Sequence, residues 1–316
     1  IPIMANISGC DCEANGTDCD SEFKYSLFKI VYSIIFVIGV PSNIIAVWFL
    51  LRVQYQHNKG LNEVKVYMIN LCVADIVFTL TLPFWIVYYA RNGEWIFKSF
   101  SCSLLGSLFY VSNYSSLAFL ALISYNRYQA VTSPIKTAQF KQKTRGIIIS
   151  SIIWGVLVIF LLSTIIQKSE HMNTINGCVK CFEGYGDQGT TLVLVYHFFM
   201  IAGFFLTFMV VIVCSIKILR TLAAEGQQQV TSHHGAKKQA FRMATVVLAV
   251  FILCFFPHHL VQGPWVLLKM NILKRPNKIL SDIHQVTLCM MSFNCVLDPI
   301  IYCFITTHFR ATFRNF

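Results

Sequence analysis

Charge is what this chain has least of. Only 12% of its 316 residues are Asp, Glu, Lys or Arg, against about 25% in a soluble globular protein. Hydrophobic residues make up 56%, more apolar surface than a water-soluble fold of this length can hide. Low-complexity tracts and charged heptads are also lacking, and with 27 Phe and 5 Trp the composition excludes disorder, collagen and coiled coil. The motifs of common catalysis are missing: there is no H-E-x-x-H, no G-x-S-x-G and no glycine loop to cradle a phosphate. His258 and His259 are adjacent, so on a helix they point about 100° apart and do not chelate one metal as an i, i+4 pair does. No cleavable signal peptide and no internal repeat is visible, and the lack of a repeat argues against a lipid transporter or scramblase. These absences leave a membrane protein that is not an enzyme.

What is present is a series of apolar stretches, each long enough to cross about 30 Å of hydrocarbon at about 1.5 Å per residue. Seven occur, over approximately 24–52, 62–90, 99–132, 143–167, 189–222, 237–269 and 280–305. The expected organisation is an all-α membrane protein: an N-terminal tail over 1–23, a seven-helix bundle over 24–305 and a short amphipathic helix over 306–316. In that last segment Phe309 and Phe313 stand i, i+4 beside Arg310 and Arg314. Charge sets the orientation. One side carries 15 of the 25 Lys and Arg and only two acids, Glu63 and Glu225, whereas the other carries ten of each sign. The basic side is the inner one, which places the N-terminus outside the cell and reads the net +11 as topology rather than nucleic-acid binding. Cys10, Cys12, Cys19, Cys102, Cys178 and Cys181 fall on the outer, oxidising side. Two sequons in the outer tail, at Asn6 and Asn15, are expected to be glycosylated.

The polar residues inside the spans carry a resemblance. Gly39 and Asn43, Leu71-Cys72-Val73-Ala74-Asp75, Cys102 with Asn126-Arg127-Tyr128, Trp154, Phe251 with Cys254-Phe255-Phe256-Pro257, and Asn294 with Asp298-Pro299-Ile300-Ile301-Tyr302 follow in order at helical spacings. The chain resembles the rhodopsin-like (class A) G-protein-coupled receptors in all seven segments. Three runs, Pro83-Phe84-Trp85-Ile86-Val87-Tyr88-Tyr89, 129–139 and Pro257-His258-His259-Leu260-Val261-Gln262, are similar to the branch of that family that recognises an ether phospholipid carrying phosphocholine. The resemblance implies such a lipid as agonist and a heterotrimeric G protein of Gq or Gi type as partner, with membrane lipid around the bundle. A class A receptor for a peptide or nucleotide is the alternative.

The family pattern also assigns roles. It implies a disulfide from Cys102 to Cys181, with Cys178 as a rival in Cys178-Val179-Lys180-Cys181. It implies a coupling and switch set of Asn126, Arg127, Tyr128, Phe251, Pro257, Pro299 and Tyr302. Arg127 stands at one mouth of span three and Cys102, 25 residues earlier, at the other, and Pro257 removes a backbone hydrogen bond to make span six a lever. Asn126 replaces the family's usual acid, so the local ion pair to Arg127 is lost. Span five has no proline. The resemblance brings Asp75 and Asp298 together in mid-bilayer beside Ser116 and Asn294. Two like charges there need a hydrated Na⁺ or a shared proton; no other cofactor is implied.

For the ligand, Phe109 occupies the place, 18 residues before Arg127, where amine receptors of the family keep a carboxylate, which argues against a monoamine. Its surroundings are aromatic: Tyr32, Trp85, Tyr110, Phe255 and Trp265. Polar residues in the outer halves of spans five to seven are His197, His258, His259, Gln262 and Gln285. Imidazole and amide N–H groups there are expected to hold a phosphate, with the quaternary ammonium on the rings of Tyr185 or Trp265 and Glu183 as counter-charge. The competing expectation is that the histidines only satisfy backbone groups freed by Pro257.

Overall fold

A computed structural model describes residues 22–57, 62–133, 142–166, 172–175, 178–181, 190–225, 234–270, 272 and 278–305. Four helices come first, α1 (Glu22–His57), α2 (Glu63–Ala90), α3 (Ser99–Thr132) and α4 (Gln142–Ile166). An antiparallel hairpin of β1 (Met172–Ile175) and β2 (Cys178–Cys181) leads to α5 (Thr190–Glu225). The sixth crossing is α6 (His234–Val250), one π-helical turn over Phe251–Phe255, and α7 (Phe256–Lys269); the seventh is α8 (Lys278–Ser292) and α9 (Asn294–Ile305). Every expected span is present, and six crossings are apolar over a length that spans a bilayer. The seventh is divided at Phe293, whose N–H is shared between the carbonyls of Cys289 and Met290, both at 3.2 Å. The expected C-terminal amphipathic helix, both sequons and Cys10, Cys12 and Cys19 lie outside the described residues.

Burial is arranged for lipid rather than water. In the most apolar window of α3, 72% of residues are buried, against 11% in α4. Helix α3 is lined with small hydroxyls, Ser103, Ser107, Ser112, Ser115, Ser116 and Ser124, all buried, whereas Ile148, Ile152, Val156 and Ile159 of α4 face outward. Hydrocarbon is as apolar as leucine, so large aliphatic side chains gain nothing from turning inward, and small or polar residues let helices approach and hydrogen-bond at the centre. Helix α3 accordingly packs against α2, α4, α5 and α6.

Two local features position the sites. Cys181 of β2 is bonded to Cys102 at the start of α3, with the Cα atoms 5.8 Å apart, as the family pattern implied. Trp95 donates its backbone N–H to Val179 O at 2.8 Å, and the hairpin is thereby tied to the α2–α3 connection as well. In span six the sequence pointed only to a proline kink. The chain makes a wider turn, in which Phe256 N–H bonds to Phe251 O, five residues back, just ahead of Pro257, which has no N–H to give.

Candidate functional site

Three polar groupings lie along the bundle. The first is at the disulfide end, where His258 and Gln262, i, i+4 on α7, are each 2% exposed. His258 stands 5.1 Å, ring to ring, from His284 of α8, and His284 stacks flat on Trp265 at 3.9 Å. His197 of α5 is within electrostatic reach of His258. Among the described residues, His258 Nδ1, Gln262 Oε1 and Trp265 Nε1 are buried and make no hydrogen bond. His259 points elsewhere. Its Nδ1 lies 2.8 Å from Phe255 O, a contact that needs Nδ1 to donate; Nε2 is then the acceptor, with Tyr114 Oη donating at 2.9 Å. The ring also stacks on Phe204 at 4.0 Å. Of the two histidines, His259 therefore serves the backbone carbonyl and the α3–α5 packing, and His258 faces His284. Gln285 is half-buried, one step round the helix from His284, and His284 is the member of this grouping that reading the sequence missed.

The expected aromatic set falls into separate groups. Trp85 packs with Tyr88, Tyr89 and Trp95, and Tyr89 reaches Tyr32 and Phe28 of α1. Phe109 meets Tyr110 and Phe78. Phe255 belongs to neither; it contacts Phe251, which continues a column with Phe204 and Phe208 of α5. Glu183 and Tyr185 lie outside the described residues, as does the side chain of Tyr302.

At mid-bundle, Asp75 and Asp298 are both buried, 1% and 0% exposed, and their carboxyl groups face one another. Ser116 Oγ donates to Asp75 Oδ1 at 3.1 Å. Asp75 Oδ2 and both oxygens of Asp298 have no donor among the described residues. Asn294 is buried one turn before Asp298 on α9. Nearby, Asn43 Nδ2 donates to Gly39 O and Cys295 O at 3.0 and 2.8 Å, tying α1 to α9.

The third grouping is at the opposite end, around Asn126 and Arg127. Asn126 Nδ2 donates to Glu63 Oε2 at 3.0 Å, Tyr67 Oη donates to Glu63 Oε1 at 2.6 Å, and Arg145 of α4 grips the same carboxylate with Nε and Nη2 at 2.9 and 2.8 Å. Arg127 Nε is buried and makes no hydrogen bond among the described residues, and Tyr128 lies under the Lys217 ammonium at 5.2 Å. The acid missing before Arg127 is thus supplied from α2, but to Asn126 rather than to the arginine. Glu63 entered the sequence reading only as an inner-side acid; its sole distinguishing signal was its position directly after a capping residue, Asn62, whose side chain accepts from Lys65 N at 3.0 Å.

A seven-helix bundle bridged from the start of α3 to a hairpin, with an arginine at the far end of α3 and an acid pair between α2 and α9, defines a membrane receptor. Residues 42–302 match the profile of the 7 transmembrane receptor (rhodopsin family), and the chain belongs to that family. It is a class A G-protein-coupled receptor and a multi-pass membrane protein, not an enzyme. It is 46% identical over 296 residues, 92% of this chain and 85% of the other, to the platelet-activating factor receptor of Homo sapiens. It is 44% identical over 303 residues, 94% and 88% of the two chains, to the platelet-activating factor receptor of Mus musculus. Lysophosphatidic acid receptor 6 of Mus musculus is 30% identical over 299 residues, 92% and 84% of the two chains.

Proposed function

We propose that the chain is a plasma-membrane receptor whose agonist is an ether phospholipid with a phosphocholine headgroup, and that agonist binding at the disulfide end moves span six to activate a G protein of Gq or Gi type at the arginine end. The N-terminus is extracellular in this reading, supported by the 15 to two excess of bases over acids on the arginine side. The observation that carries the ligand assignment is a buried set of polar atoms that make no hydrogen bond among the described residues, the ring and indole nitrogens His258 Nδ1 and Trp265 Nε1 beside the amide oxygen Gln262 Oε1. Polar groups at such depth are normally satisfied. A phosphate needs donors, and the His258 ring and the Trp265 indole supply N–H groups without a buried lysine, while the Gln262 amide donates through Nε2 and not through the open Oε1. The relatives are named for platelet-activating factor and for lysophosphatidic acid. One face of Trp265 is covered by His284, so the ammonium rests on the other face or on Tyr185, with Glu183 as counter-charge. The alkyl chain runs down beside Phe109, Tyr110 and Trp85. Between Asp75, Asp298, Ser116 and Asn294, oxygen ligands with unfilled acceptor capacity suit a small hard cation, and Na⁺ there would hold the resting state.

The test is equilibrium binding of a radiolabelled ether phosphocholine to membranes. His258→Ala and Gln262→Ala are expected to weaken it by about 1–3 kcal/mol each at unchanged surface expression. Wild-type affinity in both variants removes the headgroup placement. His259→Ala is expected to lower receptor stability through Tyr114 and Phe204.

A further inference from the structure

The grouping around Glu63 is not used by the receptor reading above, yet it is the most completely bonded polar cluster in the bundle. Glu63 is 2% exposed, and a carboxylate at that depth persists only where charge and hydrogen bonds answer it. The answer here is full. Tyr67 and Asn126 donate one bond each, Arg145 presents a two-pronged fork, Nε to Oε1 and Nη2 to Oε2, and Glu63 is the first residue of α2, where the helix dipole favours an anion. Arg145 Nη2 also reaches Gln129 Oε1 at 2.9 Å. Gly146 makes the approach of α4 possible, because a Cβ at that position would meet Glu63 Cα and Val66 Cβ at 3.3 Å.

Two features decide what the cluster does. Among the described residues it draws on α2, α3 and α4. A latch that opens on activation has to bridge a moving part and a fixed one, and in the function proposed above the moving part is span six, which holds the π turn and Pro257. The cluster also grips α3 on either side of Arg127, at Asn126 and at Gln129, within a single turn. We infer that Glu63 is a positioning residue for Arg127. Acting through Asn126 directly and through Arg145 and Gln129 indirectly, it fixes the turn of α3 that carries the arginine. Its charge is spent on Arg145, so Arg127 meets the G protein with no ion pair to break among the described residues.

The experiment compares wild type, Asn126→Asp, Glu63→Gln and the exchanged double variant Glu63→Gln/Asn126→Asp, each in nanodiscs of a zwitterionic phospholipid. Affinity for purified nucleotide-free heterotrimer and the rate of nucleotide exchange are read per mole of folded receptor, without ligand and with an ether phosphocholine. Asn126→Asp sets a second carboxylate at the position of the 3.0 Å contact and offers Arg127 a local partner, so heterotrimer affinity is expected to fall about tenfold. The double variant restores one carboxylate and one amide across the contact and is expected to recover to within about threefold of wild type. Three results overturn the inference: Asn126→Asp coupling as well as or better than wild type, a double variant no better than Asn126→Asp, or changes confined to folded yield with coupling per folded receptor untouched. A wild type that ignores the lipid counts against the ligand assignment only, since the ligand-free comparison among the four proteins decides the role of Glu63.

Discussion

Helix α2 carries two buried carboxylates about three turns apart, and they meet the cost of burial in opposite ways. Glu63 has every acceptor engaged, by a phenol, an amide and a two-pronged guanidinium. Asp75 has one donor, Ser116, and faces a second acid, Asp298, neither of whose oxygens has a donor among the described residues. A carboxylate that is fully bonded within the protein works as a fastener between helices. One left with acceptors to spare is a place where something from outside the chain, a cation or a proton, completes the structure. The same side-chain chemistry thus yields a fixed joint at one depth and an adjustable one at another.

The contrast can be broken first at the fastener. Arg145→Ala leaves Glu63 buried without its counter-charge and is expected to destabilise the receptor by about 3–5 kcal/mol, seen as loss of folded protein and an earlier midpoint on heating. Glu63→Ala should do less harm, because the Arg145 side chain is 36% exposed and can turn to water. The adjustable site is sharpened by varying the cation. If Na⁺ completes the acid pair, wild-type stability rises by about 1.4 kcal/mol for each tenfold of Na⁺ above its dissociation constant, and Asp298→Asn flattens that response. A wild type equally stable in Na⁺ and in a bulky organic cation assigns the pair a shared proton instead. The smallest effect comes from Gly146→Ala, whose Cβ crowds the Glu63 backbone at 3.3 Å and is expected to cost about 1 kcal/mol while Na⁺ dependence stays intact.

Part of this was legible in the sequence by counting, since span limits come from runs of apolar residues. The Cys102–Cys181 bridge and the meeting of Asp75 with Asp298 came instead from the resemblance to class A receptors that the motifs carry. What stayed hidden depends on rotation about a helix axis. Gln285 was singled out for its polarity, but the wall of the pocket belongs to its neighbour His284. His259 reads as a ligand group beside His258, yet its ring is consumed by Phe255 O and Tyr114. The fork from Arg145 to Glu63 joins residues 82 positions apart, and nothing in the composition of either segment announces it. The hairpin was invisible because four-residue strands in a connecting loop carry too little pattern to stand out.

The wide turn over Phe251–Phe255 acts as a phase shift in the wheel of span six. An α-helix advances about 100° per residue, and a turn closed by a five-residue hydrogen bond holds one residue more than an α turn, so the face of α7 is offset by about that angle from the face that α6 would project forward. Chimeras that splice the span below Phe251 preserve the offset. Those that delete one residue within 251–255 would remove the extra residue of the wide turn and carry His258 and Gln262 round by about 100°, leaving a receptor with its arginine end correctly formed and its binding groups facing the wrong way.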